Sequence, residues 1–190
     1  MKAWLVAAVL ALSVPAANAQ TYVSTDVPKN ISAGGAVTVT STLWVPGPLF
    51  IDSLTVQLRV IHGWNSDLDL FLVGPTGISV ELSTDNGGAS DNYFNTVFDD
   101  TAATAITSGT GPFAGTYRPE QPLATFQNTS ATGLWTLRIS DDLLGFGGTL
   151  EDWRLTFMAI AIPEPDTYAL LLAGLGLLGF AARRRKTFGG

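Results

Sequence analysis

The run DSLTVQLRVIH, Asp52 to His62, places Leu54, Val56, Leu58 and Val60 at every second position. A period of two puts all four on one face of a strand; on a helix they would scatter around the axis. The alternation recurs in VTVTSTLWV, Val37 to Val45. In DLDLFLV, Leu68, Leu70 and Leu72 face one way, and Asp67, Asp69, Phe71 and Val73 the other. Gly74-Pro75-Thr76-Gly77 is a turn signal, and ISVEL after it reads as a short strand. In GLWTLRISDD, Leu134, Thr136, Arg138 and Ser140 oppose Trp135, Leu137 and Ile139. The last run, GFGGTLEDWRLTFMAI, is a glycine-rich turn and a strand with Leu150, Trp153, Leu155 and Phe157 towards a core. Between them, SGTGPFAGTYRPEQPL reads as a long loop with brief extended pieces. No long helical period interrupts this series. About eight or nine short strands separated by turns predict an all-β, two-sheet sandwich or jelly roll.

Both ends differ from this middle. MKAWLVAAVLALSVPAANA has Lys2 at its start, an apolar run from Trp4 to Val14 and the small-x-small end Ala17-Asn18-Ala19. That is the build of a secretory signal peptide, residues 1–19, with cleavage expected after Ala19. At the other end an apolar run, Tyr168 to Ala182, meets the basic cluster Arg183, Arg184, Arg185 and Lys186. At 1.5 Å per residue the run spans only ~22 Å of a ~30 Å hydrocarbon core. Flanking residues bring the expected transmembrane segment to about residues 167–182. The basic tail, 183–186, is expected to stay cytoplasmic, which leaves the domain between, 20–160, outside the cytoplasm.

From Gln20 to Ile162 there are fourteen acids and five bases, a net charge of −9. Such a surface repels phosphates and suits cations, so nucleic acid is excluded as a partner. There is no cysteine, so stability comes from the core and from any bound metal.

Five motifs in order, IHGWNSDLDLFLVGPTG, DNYFNTVFDDTA, FAGTYRPEQPLATF, ATGLWTLRISDD and GGTLEDWRLTF, resemble the P domain, or P/homo B domain. In kexin- and furin-type proprotein convertases that domain follows a subtilisin-like catalytic domain, and it also occurs in many bacterial secreted proteins. The resemblance runs from about Thr25 to Phe157 and implies a jelly-roll sandwich that supports a protease without catalysing. Too few residues separate the signal peptide from the first strand to hold a catalytic domain. The tail resembles the PEP-CTERM sorting signal: Pro163-Glu164-Pro165, an apolar span, then Arg183 to Arg185. It departs in the trailing TFGG. The resemblance implies an exosortase-type processing enzyme, a transient stay in the inner membrane, and delivery to the cell surface or beyond in bacteria that make exopolysaccharide.

His62 is the single histidine, so any serine triad would have to use it. No Gly-x-Ser-x-Gly elbow is present, and a structural hydrogen bond at a strand end is the expected role. A glycosidase needs two carboxylates ~5–10 Å apart. Asp67, Asp69, Asp91, Asp99, Asp100, Asp141 and Asp142 are loose candidates, and no pair stands out. Calcium prefers six to eight oxygens, which DNGGASDN and FDD supply without EF-hand spacing. Asp67 and Asp69 are expected on the outer face of a strand, under a loop carrying Asp91, Asp99 and Asp100. These five are the candidate ligands of a structural calcium; the alternative is that they cap turns and solvate the surface. Phe94 and Phe98 are expected to anchor that loop in the core. Among the domain's tryptophans, Trp135 and Trp153 fit the core, while Trp64, between Gly63 and Asn65, is the candidate for exposure and sugar stacking. The sequence therefore points to a non-catalytic, surface-sorted module that binds or builds within the envelope or exopolysaccharide matrix. A carbohydrate-binding module and an accessory to a separate subtilisin-like protease are its alternatives.

Overall fold

The computed structural model describes residues 18–159 and 169–179. It divides into two units, and residues 17–160 form one of them. This unit is a two-layer β-sandwich of ten strands. They are β1 (Asn18–Val23), β2 (Lys29–Ile31), β3 (Val37–Val45), β4 (Ile51–His62), β5 (Leu68–Val73), β6 (Ser79–Ser83), β7 (Tyr93–Phe98), β8 (Thr116–Tyr117), β9 (Gly133–Asp141) and β10 (Gly148–Ala159). The six-stranded sheet runs β1-β10-β4-β7-β8, with β2 also on β10; the four-stranded sheet runs β3-β9-β5-β6. All pairings are antiparallel except the short β7–β8 pair.

The period-two residues form the core as their spacing requires. Leu54, Val56, Leu58 and Val60 of β4, and Leu68, Leu70 and Leu72 of β5, are all buried. Two of the contacts that tie the layers directly use tryptophans. Trp135 of β9 meets Phe157 of β10 with ring centroids 5.4 Å apart. Trp153 of β10 donates its indole N–H to Ser41 Oγ of β3 at 2.7 Å. Ser41 in turn donates to Asp26, whose other oxygen takes the Thr42 N–H at 3.0 Å. Leu150 and Trp153 both face inward although three residues apart, an odd spacing that plain alternation forbids. A register shift between Leu150 and Asp152 absorbs the extra residue.

Ala19, where cleavage is expected, falls within β1, opposite Met158. The rest of the expected signal peptide, residues 1–17, lies outside the described residues, as do Pro163, Glu164, Pro165 and Arg183 to Arg185. In the second unit, residues 169–179 form a helix. Among the described residues no helix is long and apolar enough to cross a membrane. The remainder of the expected span, 167–168 and 180–182, is not described.

Candidate functional site

His62 ends β4 and is sealed from solvent together with Asp141, which ends β9. Its Nε2 lies 3.1 Å from Asp141 Oδ2. Its Nδ1 lies 2.9 Å from the Trp64 carbonyl and 3.2 Å from the Trp64 N–H. In the neutral ring Nε2–H donates to Asp141 and Nδ1 accepts from Trp64 N–H; in the cation, Nδ1–H turns to the carbonyl. The His62 backbone N–H donates to Asn92 Oδ1 at 2.9 Å. Both ring nitrogens are engaged, so the residue clamps two strand ends and has no free nitrogen for a reacting group.

The five candidate aspartates lie in different settings. Asp67 does not stand on the outer face of a strand. It closes a 3₁₀ turn, Asn65–Asp67, just before β5, and is only 3% exposed. The turn rotates the chain out of the strand's alternation, which begins at Leu68. Asp69 does lie on the outer face of β5, half-buried. Burial raises the Asp67 carboxyl above its ordinary value, and Asp141, Asp142 and Asp85 push the same way against His62. Burial also raises Asp69, and Asp85, Asp142, Glu81 and Glu120 add to it. Asp91 is exposed and is not among the charges acting on either.

Asp99 and Asp100 are held elsewhere. Asp99 Oδ1 accepts the Thr101 N–H and hydroxyl, both at 2.8 Å. Asp100 accepts the Leu123 and Ala124 N–H groups at 2.9 and 2.7 Å, capping the 3₁₀ turn Leu123–Phe126. With Asp52 they line a groove of about 460 Å³ that also takes in Thr55 of β4 and Thr156 and Met158 of β10. Their segment therefore does not fold over β5. Among the described residues no three His, Asp or Glu side chains converge as one ion-holding group.

Phe98 is buried as expected, but Phe94 is not: it is 42% exposed under the Arg59 guanidinium, 4.4 Å from its ring centre. The left-handed backbone at Asn95 (φ 53°) and a register shift in the β4–β7 pairing change the strand's parity. Tyr93 takes the core position instead and stacks on Phe113 at 5.0 Å.

Trp64 is half-buried, its ring stacked on Phe146 at 5.3 Å. Among the described tryptophans the open one is Trp44, 63% exposed on the outer face of β3. Its direct cross-strand neighbour is Leu134, itself 50% exposed. Along the same face Thr42 opposes Thr136, Thr40 opposes Arg138, and Thr38 meets the Ser140 hydroxyl at 3.0 Å. Arg138 lies over the Phe71 ring at 4.4 Å, flattening its guanidinium onto the sheet. The sequence carried this signal: Trp44 is out of phase with Val37, Val39, Leu43 and Val45.

Residues 51–157, more than half of the chain, match the proprotein convertase P-domain family. The chain belongs to that family. Residues 161–186 after this P domain match the PEP-CTERM protein-sorting motif. The P domain is similar to a transglutaminase-activating metalloprotease of Streptomyces mobaraensis, at 31% identity over 127 residues. That match covers 66% of this chain and 13% of the relative. Its fold is similar to the Aeromonas sobria serine protease solved with a chaperone, at TM-score 0.51 and 19% identity, covering 76% of this chain and 27% of that one. The structure of the Aeromonas sobria protease described without its chaperone gives TM-score 0.48 and 20% identity, covering 75% and 26% of the two chains.

Proposed function

We propose that this P domain is a non-catalytic, exported module that binds neutral polysaccharide of the surrounding matrix through the sheet face around Trp44. The exposed indole beside Leu134 carries the reading. A flat aromatic ring in solvent is suited to stacking on sugar rings, and the neighbouring Thr and Ser rows offer hydroxyl partners. The acidic net charge argues against polyanionic glycans. The PEP-CTERM motif supports an exosortase-type processing step on an inner-membrane precursor, followed by display at the cell surface or release. A polysaccharide array probed with the purified protein tests the binding. Wild type should be retained on at least one neutral glycan, and Trp44→Ala should lose about tenfold or more in affinity, the equivalent of ~1.4 kcal/mol. Retention of Trp44→Ala equal to wild type, or no retention of wild type, refutes it.

A second reading follows from the family, whose non-catalytic domain is associated with serine proteases. Here the module would assist a separate protease in trans. Co-purification of a protease with the tagged chain, and altered proteolysis in a deletion strain, are the expected results; neither appearing counts against it.

A further inference from the structure

Strand β1 carries the expected signal-peptide cleavage point inside it. Ala19 pairs with Met158 of β10, and Gln20 with Phe157. Cleavage after Ala19 makes Gln20 the first residue of the mature chain. Gln20 to Val23 stay in register with Phe157 to Arg154, so the new terminus is tied down as a strand.

A glutamine at a chain terminus has chemistry that an internal one lacks. Its free α-amine can close a lactam ring on its own side-chain amide. The ordinary α-amine pKa is ~7.7–8.0, so part of it is the neutral nucleophile at neutral pH. The reaction is intramolecular, and no second reactant has to be brought in. Gln20 is exposed, and its amide is already engaged by a donor. Oε1 accepts the Tyr22 hydroxyl at 2.7 Å. Tyr22 is half-buried, its ring edge-to-face with Phe157 at 6.0 Å, so packing fixes the donor. Among the described residues nothing binds Gln20 Nε2, which stays open to water.

We propose that Gln20 is a modification site: once the chain is cut after Ala19, Gln20 cyclises to pyroglutamate, with the Tyr22 hydroxyl as donor to the amide oxygen. The α-nitrogen lone pair adds to Cδ, and the carbonyl pair moves onto Oε1. The Tyr22 O–H stabilises that oxyanion, as placed donors do in acyl transfer. The oxyanion then collapses and the Cδ–Nε2 bond breaks. The proton shed by the α-nitrogen leaves with Nε2 as ammonia. One amide replaces another, so no oxidant, reductant or co-substrate is consumed. The lactam keeps an N–H but loses the positive charge of the terminus. Without a primary amine the terminus resists exopeptidases that require one. That protects β1, which covers the edge of β10.

The test is mass spectrometry of the full chain exported by a bacterial host under its own leader, sampled from harvest through incubation at neutral pH. Intact mass and N-terminal fragments are read together. The expected species begins at Gln20 and is lighter by one ammonia, and its terminus is closed to Edman degradation. Gln20→Ser, at an exposed position, should keep an open terminus and the wild-type melting midpoint. Tyr22→Phe keeps the ring on Phe157 and should slow the rise of the cyclised fraction about threefold or more, a smaller effect than at a buried oxyanion hole because water competes. A mature chain that begins at another residue overturns the site. So does one that begins at Gln20 and keeps its ammonia and a free amine throughout. Equal progress in wild type and Tyr22→Phe overturns the assignment of Tyr22.

Discussion

Ser41→Ala removes an oxygen that helps to join the two sheets and should cost more than its size suggests. Ser41 is fully buried on β3. Its hydroxyl accepts the Trp153 indole N–H at 2.7 Å and donates to Asp26. Alanine fills nearly the same space, so little cavity is created. Two polar groups lose their partner instead. The indole N–H, on a residue with no solvent exposure, is left unsatisfied, at ~1–3 kcal/mol. Asp26 loses a charge-assisted bond of ~1.5–3 kcal/mol but keeps the Thr42 N–H and Lys29, 3.5 Å away. Taken together, a loss of about 3 kcal/mol is expected. A domain of this size melts with an entropy near 0.3 kcal/mol/K, so the midpoint should fall by about 10 °C. Thermal and urea melts of both proteins measure this. Adding Trp153→Phe removes the orphaned donor, so Ser41→Ala should cost ~1–2 kcal/mol less in that background. A fall below about 3 °C, or full additivity in the double variant, would refute the account of the bridge.

Asp26 also predicts a pH dependence. Its burial alone would raise the carboxyl, but the bonds from Ser41 and Thr42 and the Lys29 charge outweigh this and hold it below its ordinary value of 3.8. A depressed folded value means that its stabilisation is complete above that ordinary value and disappears as pH falls through the folded one. Melting midpoints in acid should therefore drop less steeply below pH 4 in Asp26→Asn than in wild type; parallel curves would contradict this. At Gly148 an added Cβ would sit 2.0 Å from the Ile61 backbone oxygen, which cannot swing aside. Gly148→Ala should cost about 3 kcal/mol, read by urea denaturation, and an unchanged midpoint would show that the β4–β10 pairing gives way easily. Replacing Pro163-Glu164-Pro165 should leave the full-length protein in the inner-membrane fraction, and unchanged export of the triple variant would refute recognition at that motif.

Much of the sandwich was legible because alternation is a local property. Leu54 to Val60 and Leu68 to Leu72 report their facing without reference to any other segment. The same alternation sets Trp44 on the outer face, whereas the glycine and asparagine beside Trp64 do not expose it, because its ring stacks on Phe146. Alternation fails where one strand carries an extra residue relative to its partner. The shifts near Glu151 and Asn95 depend on pairing with β4, a segment far away in sequence. That is why Leu150 and Trp153 share a face and why Phe94 leaves the core in favour of Tyr93.

The carboxylates divide along the same line. Composition alone made the domain acidic. Which acids stand together was decided by loops meeting at the end of the sandwich. Asp142 reaches Asp67 because β9 pairs with β5, whereas Asp100 is taken by the N–H groups of Leu123 and Ala124. Strand identity, the P-domain likeness and the sorting tail belong to the sequence by itself, since each rests on residues close together in the chain. The open face around Trp44 and the grouping of Asp67 with Asp85 and Asp142 belong to the tertiary structure, since pairing between distant segments sets what each side chain meets.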